Sequence, residues 1–330
     1  MAPIMVPVTD PATDPITDPA TDPVTDPATD PVTDPITEPV AGPVTEPVTD
    51  PVTVPVPVPL TPLQEKALEY SRKKARIIVR NMHLTTLARF RTLGYTEDDL
   101  TRVGDYIRRK MQIVIHVNLD KVLDHWCRDP HYRNQFETGT SGGALSRELR
   151  TVWEDTLFGK IYHDAQGPER VKYGALNITN DVAGVRSCHG YGDSYLVLRN
   201  EVKDRSTFVY GDSCRQDLHL ATFRDCEHIL YYYDDETLAK VVRVATGQEP
   251  GIVDRSIYTE LQVHGPVRLV EDVEVLVCHP RHRQDRRICD LLAELERSHG
   301  VRIMFAEPST EDSQFGIVRT ARRKACRRSR

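Results

Sequence analysis

Two rhythms of apolar positions follow one another along residues 61–330. The first is helical. Thr61-Pro62-Leu63-Gln64 offers a capping Thr, a Pro at the first helical position and a Gln three residues on, the pattern of a capping box. It predicts a helix running to about Met82. Thr96-Glu97-Asp98-Asp99 opens a second, with Leu100, Val103, Ile107 and Met111 at helical spacing. From residue 112 the rhythm shortens to two. Residues 112–117, 194–198, 207–210, 257–263, 273–277 and 301–305 are β-branched or aromatic runs that read as strands. Residues 172–177 and 192–195 read as strand edges with turns. Ile288, Leu291, Leu292 and Leu295 mark one late amphipathic helix closed by Gly300. Helices first and strands mostly after them predict an α+β protein rather than a regular βαβ alternation.

Residues 1–60 follow neither rhythm. A proline recurs at every fourth position from Pro7 to Pro55, mostly in the unit Thr-Asp-Pro-(Val/Ala/Ile). Each proline fixes its own φ and pushes its predecessor out of the helical region. The expectation is an extended, solvated, disordered tail that acts as a stiff spacer. This segment holds 10 of the chain's 49 acidic residues and none of its 43 Lys and Arg. The formal charge of −6 therefore belongs to the tail, and the body is slightly basic. The expected organisation is a tail at 1–60, a helical subdomain at 61–110, a catalytic domain at 111–310 and a basic C-terminal tail at 311–330.

Composition removes several classes. No run reaches the length of apolar residues that a membrane helix needs. The first residues lack a basic stretch followed by an apolar one, so no ordinary signal peptide is expected. Seven cysteines without a CxxC pair argue against a disulfide framework and against a structural zinc site, and no metal is expected. No GxGxxG, GxxxxGK[ST] or GxSxG is present. The Lys and Arg residues of the first helices lack interleaved aromatics, so no specific nucleic-acid partner is expected.

Three segments could carry chemistry. In residues 113–118, alternation puts Ile113, Ile115 and Val117 on one face and His116 with Asn118 on the other. In residues 132–143, an extended chain would put Phe136, Thr138 and Thr140 on one side, running through Ser141 into Gly142 and Gly143, where a ligand can approach the backbone. In residues 255–266, period two aims Tyr258, Glu260 and Gln262 the same way. A carboxylate between a phenol and an amide on a strand is costly to bury unless it is used or paired. Residues 245–254, rich in Gly, Pro and polar side chains, read as a mobile loop beside it. His279 and His282 read as part of a solvated turn.

A His on an early strand, a Thr/Ser stretch and a Glu on a later strand form an order that resembles the mono-ADP-ribosyltransferases. The strings QFETGTSGG, KYGALNI, YGDSYLVL, TFVYGDS and YTELQVHGPV are similar to a bacterial domain family of unknown function. That family in turn resembles effector transferases that ADP-ribosylate ubiquitin on threonine. The resemblance implies a helical N-terminal subdomain followed by a split β-sandwich, with NAD as co-substrate. It implies Glu260 as the catalytic carboxylate, which stabilises an oxocarbenium-like ribose as the nicotinamide bond breaks. It implies His116, Phe136, Thr138, Thr140, Ser141, Gly142, Tyr258 and Gln262 as residues that hold the cofactor. The protein would be a monomeric secreted effector, a toxin acting in the host cytoplasm on host ubiquitin. Two rivals stand beside it: a compact α+β nuclease toxin using His116 or His264 on RNA, and a non-catalytic interaction module.

Overall fold

The computed structural model describes residues 59–140, 146–214, 219–308 and 315–317. Of the tail expected at 1–60, residues 1–58 lie outside them, as do Ser141, Gly142 and residues 318–330.

The protein is α+β. Helix α1 spans Pro62–Thr92, with Thr61 and Gln64 closing the capping box. It runs ten residues past the expected end at Met82. The polar stretch His83 to Thr86 contains no Gly or Pro to stop it, and Leu87 and Phe90 anchor the extension in the core. Helix α2, Glu97–Arg109, starts from a second capping box between Thr96 and Asp99. Strand β1 is Gln112–Val117, followed by α3 at Leu119–Trp126, the short β2 at His131–Tyr132, α4 at Gln135–Thr138 and α5 at Arg147–Phe158. Then come β3 (Lys172–Asn177), β4 (Ser194–Leu198), β5 (Ser206–Tyr210), β6 (Ala221–Thr222) and α6 (Asp235–Ala245). The chain continues through β7 (Thr259–Val263), β8 (Val267–Arg268), β9 (Val273–Cys278), α7 (Arg286–His299), β10 (Ile303–Pro308) and β11 (Phe315–Ile317).

Nine strands form one sheet in the order β11-β10-β9-β4-β1-β3-β7-β5-β6, and β2 pairs with β8. Neighbours are antiparallel except β9 and β10, which are parallel and joined through α7. Residues 172–177 are therefore a central strand, bonded on both sides to β1 and β7, rather than a strand edge. What hides this in sequence is Gly174, where a Cβ would stand 2.5 Å from the Val114 carbonyl oxygen. The strand needs the glycine for close approach, and the glycine weakens its β signal.

Alternation assigns the two faces. Ile113, Ile115, Val117, Leu196, Leu261 and Val263 join Leu100, Ile107, Leu123, Trp126, Val241 and Leu292 in the main core. Val114, Ala175, Tyr195, Val197, Val275 and Val277 line the opposite face with Val185 and Cys188. A third cluster ties α1 to α5 through Ala67, Leu157, Phe158 and Tyr162.

Candidate active site

Cross-strand register places Val209, Glu260, Ala175, Val114, Val197 and Val275 opposite one another in a single row across β5, β7, β3, β1, β4 and β9. Glu260 is thus the one carboxylate in a row of Val and Ala, and it is 2 % exposed. Burial pushes its pKa up from 4.5 to about 7. The charge of Asp212 adds to the rise; the Ser213 side chain, the Gln262 amide and the Arg150 guanidinium oppose it.

Glu260 is held by its strand neighbours. Gln262 Nε2 donates to Oε1 at 2.9 Å, and the Ser213 N–H and Tyr258 hydroxyl approach Oε2 at 3.4 and 3.5 Å. Period two does aim Tyr258, Glu260 and Gln262 together, and it continues to His264. Behind Gln262 stands a buried chain. Thr207 Oγ1 donates to Gln262 Oε1 at 2.9 Å, which leaves the Gln262 amide nitrogen facing Glu260. With that proton committed, Thr207 Oγ1 accepts from His264 Nε2 at 3.3 Å, and His264 Nδ1 accepts from the Tyr162 hydroxyl at 2.8 Å. Burial drives the His264 pKa down to about 3, consistent with a neutral ring in this chain.

A cavity of about 550 Å³ lies over Glu260. Of the residues expected to form a site, His116, Thr138, Thr140, Tyr258 and Glu260 line it. Phe136 and Gln262 do not. The Phe136 ring stacks on the Arg170 guanidinium, 4.3 Å from its Cζ, and Gln262 supports Glu260 from behind. Ser141 and Gly142 lie outside the described residues.

The segment 135–140 is not extended. Asn134 accepts from the Phe136 and Glu137 N–H groups while Glu137 reaches back to the Asn134 N–H, a capping box that starts α4. Gly139, in the left-handed region, ends it. The Thr138 and Thr140 hydroxyls meet each other at 3.2 Å at the cavity's edge.

His116 is committed to its own backbone. Its Nε2 accepts from the Val185 N–H at 3.0 Å and its Nδ1 donates to the Gly192 carbonyl at 3.0 Å. Burial lowers its pKa to about 4, which fits this neutral tautomer. Gly184 permits the approach: at φ +77, a Cβ there would stand 2.7 Å from His116 Nε2. No ring nitrogen is left for a ribose hydroxyl. His116 instead pins the loop that carries Cys188, Gly190 and Tyr191 into the cavity wall.

The loop at 245–254 is also tied down. Asn180 Nδ2 donates to the Pro250 carbonyl, the Ile252 N–H bonds the Thr179 carbonyl, and Lys240 pairs with Asp254 at 2.8 Å. His282 is buried beside Asp193 rather than solvated.

Sequence reasoning did not reach Arg150, Tyr173, Tyr191 and Trp126, which complete the lining. Tyr173 had half a signal: period two puts it on the face of Ala175, but the pairing of that strand with the one carrying Glu260 is not readable locally. Arg150, one of two arginines at the start of α5 with Arg147, had none.

Residues 115–252 match a family model described as "Protein of unknown function (DUF3626)". The match spans β1 to the loop after α6 and takes in four of the five strings quoted above; YTELQVHGPV, with Glu260, follows it. None of the curated proteins compared with the chain matches it. The class defined here is thus an α+β protein with a buried carboxylate among the residues that line a cavity of about 550 Å³.

Proposed function

We propose that this protein is a mono-ADP-ribosyltransferase that binds NAD in the cavity and transfers ADP-ribose to a protein hydroxyl. The observation that carries the reading is Glu260, a buried carboxylate with a pKa near neutrality, held by three donors at the base of a cavity large enough for a nucleotide. Among the described residues it has no stabilising ion pair to account for its burial.

The chemistry suits it. As the nicotinamide–ribose bond breaks, its electron pair leaves with nicotinamide and positive charge grows on the ribose. An ionised Glu260 beside that carbon stabilises the charge in a site with little water. The acceptor hydroxyl then attacks C1 and gives up its proton, for which a carboxylate titrating near 7 is a suitable base. Gln262 and the chain behind it keep Glu260 pointed at the cavity. Tyr258 flanks it. The finer layout of a split β-sandwich with a helical subdomain at 61–110 belongs to this proposal. The adjacency of β1, β3 and β7, which carries His116 and Glu260 two strands apart, supports it.

Threonine of host ubiquitin is the acceptor we propose, with the protein a secreted effector that blocks ubiquitination in the host cytoplasm. Both histidines of the nuclease alternative are engaged, His116 by backbone and His264 by Tyr162 and Thr207, so that reading has less support. The test is incubation with labelled NAD and purified ubiquitin, followed by peptide mass analysis. The expected result is one ADP-ribose on a threonine. Label on another protein of a lysate would move the acceptor. No NAD consumption with ubiquitin or lysate would remove the transferase reading.

A further inference from the structure

We propose that Arg150 forms an anion subsite in the cavity, built for a phosphate or diphosphate group of the bound ligand. Arg150 is 8 % exposed, yet among the described residues no carboxylate forms an ion pair with it. Other arginines as deeply placed do have one: Arg170 meets Glu154 at 2.6 Å and Arg205 meets Asp272 at 2.9 Å. A buried guanidinium left unpaired is expensive, and proteins keep such a group where something else supplies the negative charge.

The expected intrahelical partner has been drawn away. Glu154 stands four residues on from Arg150, the spacing at which helical ion pairs form. Its two oxygens go instead to Arg170 Nη1 and to the Tyr173 hydroxyl at 3.0 Å. Arg150 is left over aromatic rings, its Cζ 4.6 Å from the Tyr173 centroid and 5.3 Å from that of Trp153. The rings hold the guanidinium without using any of its N–H donors. Its Nε is buried without a partner.

The rest of the lining agrees. Glu137 is taken by Arg133 at 3.0 Å and Lys172 at 3.5 Å, so it does not neutralise Arg150. Glu260 lies near enough for its pKa to feel the Arg150 charge but makes no ion pair with it. Lys121, His125 and His131 add positive or titratable groups to the lining, with His131 held by Asp129. One further donor among the lining residues, Gln135 Nε2, is buried and unpartnered. A planar two-pronged donor of this kind matches phosphate geometry. Applied to NAD, the inference rests on the function proposed above, and sets the diphosphate at Arg150 with the nicotinamide–ribose end toward Glu260. The first strand offers no such charge, since His116 is neutral and engaged.

The experiment measures binding of three probes, pyrophosphate, NAD and nicotinamide riboside, by calorimetry to the full chain and to Arg150→Gln and Arg150→Lys. Loss of a charge-assisted pair of hydrogen bonds should weaken pyrophosphate and NAD about 30- to 100-fold in Arg150→Gln. Nicotinamide riboside, which has no phosphate, should bind within about two-fold of the parent, since no such bond is lost. Arg150→Lys, which keeps the charge without the fork, should fall between, and decides the matter if the Gln variant does not fold. Pyrophosphate binding that depends on Arg150 in a protein that ignores NAD would uphold the anion subsite and overturn NAD as the ligand. NAD binding unchanged in both variants would overturn the subsite and leave the NAD reading in place. A parent that binds neither pyrophosphate nor NAD would overturn the subsite as well.

Discussion

Replacing Glu260 by Gln should make the protein more stable at alkaline pH and far less active. A carboxyl with a pKa of 4.5 in the unfolded chain and about 7 in the folded one is bound to its proton more tightly when folded. Stability contributed by the protonated form is fully present below pH 4.5, falls as pH rises, and is gone above pH 7. The gap between those values corresponds to about 3 kcal/mol. The amide of Glu260→Gln has no such proton to lose and escapes this loss. It does turn an NH₂ toward either the Gln262 Nε2 or the Ser213 N–H, two donors facing one another, at a cost of about 1 kcal/mol. The net expectation at pH 8 is a variant more stable than the parent by about 2 kcal/mol, and near parity at pH 5. Urea unfolding of both proteins at the two pH values measures it, and the difference between them cancels every other titrating group. On the functional side, removing a charge aimed at the developing cation typically costs about 100- to 1,000-fold in turnover. NAD binding should persist, because the charge acts mainly in the transition state. A variant less stable than the parent at pH 8 would refute the account of Glu260 as a strained buried carboxylate. Unchanged turnover in a folded, NAD-binding variant would refute its catalytic role.

Gln262→Ala removes the strongest donor to Glu260, so the carboxylate should titrate higher. The pH profile of kcat/KM, which should rise through about pH 7 in the parent as Glu260 ionises, should move upward, whereas a purely structural loss would lower the rate at all pH values alike. The buried histidines make the fold acid-sensitive. His116, His228 and His264 stay neutral down to about 4, 4 and 3, so stability present above pH 6.5 is lost as pH falls toward those values, and circular dichroism should show unfolding between about pH 5 and 3. His116→Ala should leave the Val185 N–H and Gly192 carbonyl unpaired and destabilise by about 2–4 kcal/mol in urea unfolding, with weakened NAD binding as the 182–192 loop loosens. Deleting residues 1–58 while keeping Leu60, which packs beside Gly265, should leave the transfer rate within about three-fold, because a proline at every fourth position keeps the tail's apolar residues from forming a helix or strand face that could dock; a soluble but inactive truncation would count against this.

The elements were legible where local chemistry decides them. Capping boxes at Thr61 and Thr96, the β-branched run of β1 and the Gly300 stop all act over a few residues, and each element begins or ends where they indicate. Misreadings fell where a local signal met a competing one. Residues 135–140 carry Thr and Gly in an alternating pattern, but Asn134 and Glu137 close a cap around them, and one capping box outweighs the weak preference of a short polar run for extension. His282 and His116 look alike in sequence to exposed histidines; only the chain that folds over them decides their burial.

The candidate site divides along the same line. Tyr258, Glu260 and Gln262 lie on one strand, so period two alone brings them together. Arg150, Tyr173 and Glu260 come from α5, β3 and β7, and their meeting depends on a strand order and register that no local pattern encodes. The same nonlocal packing gives these residues their chemistry. The Glu260 pKa is raised because the fold buries it, with Val209 and Ala175 as its neighbours in the row, and Arg150 lacks a carboxylate because Tyr173 and Arg170 hold Glu154 elsewhere. A carboxylate held above its ordinary pKa costs stability when ionised, and a guanidinium without a carboxylate partner faces the same cavity. The proposed ligand, with positive charge developing at its ribose end and negative charge on its diphosphate, matches that pair.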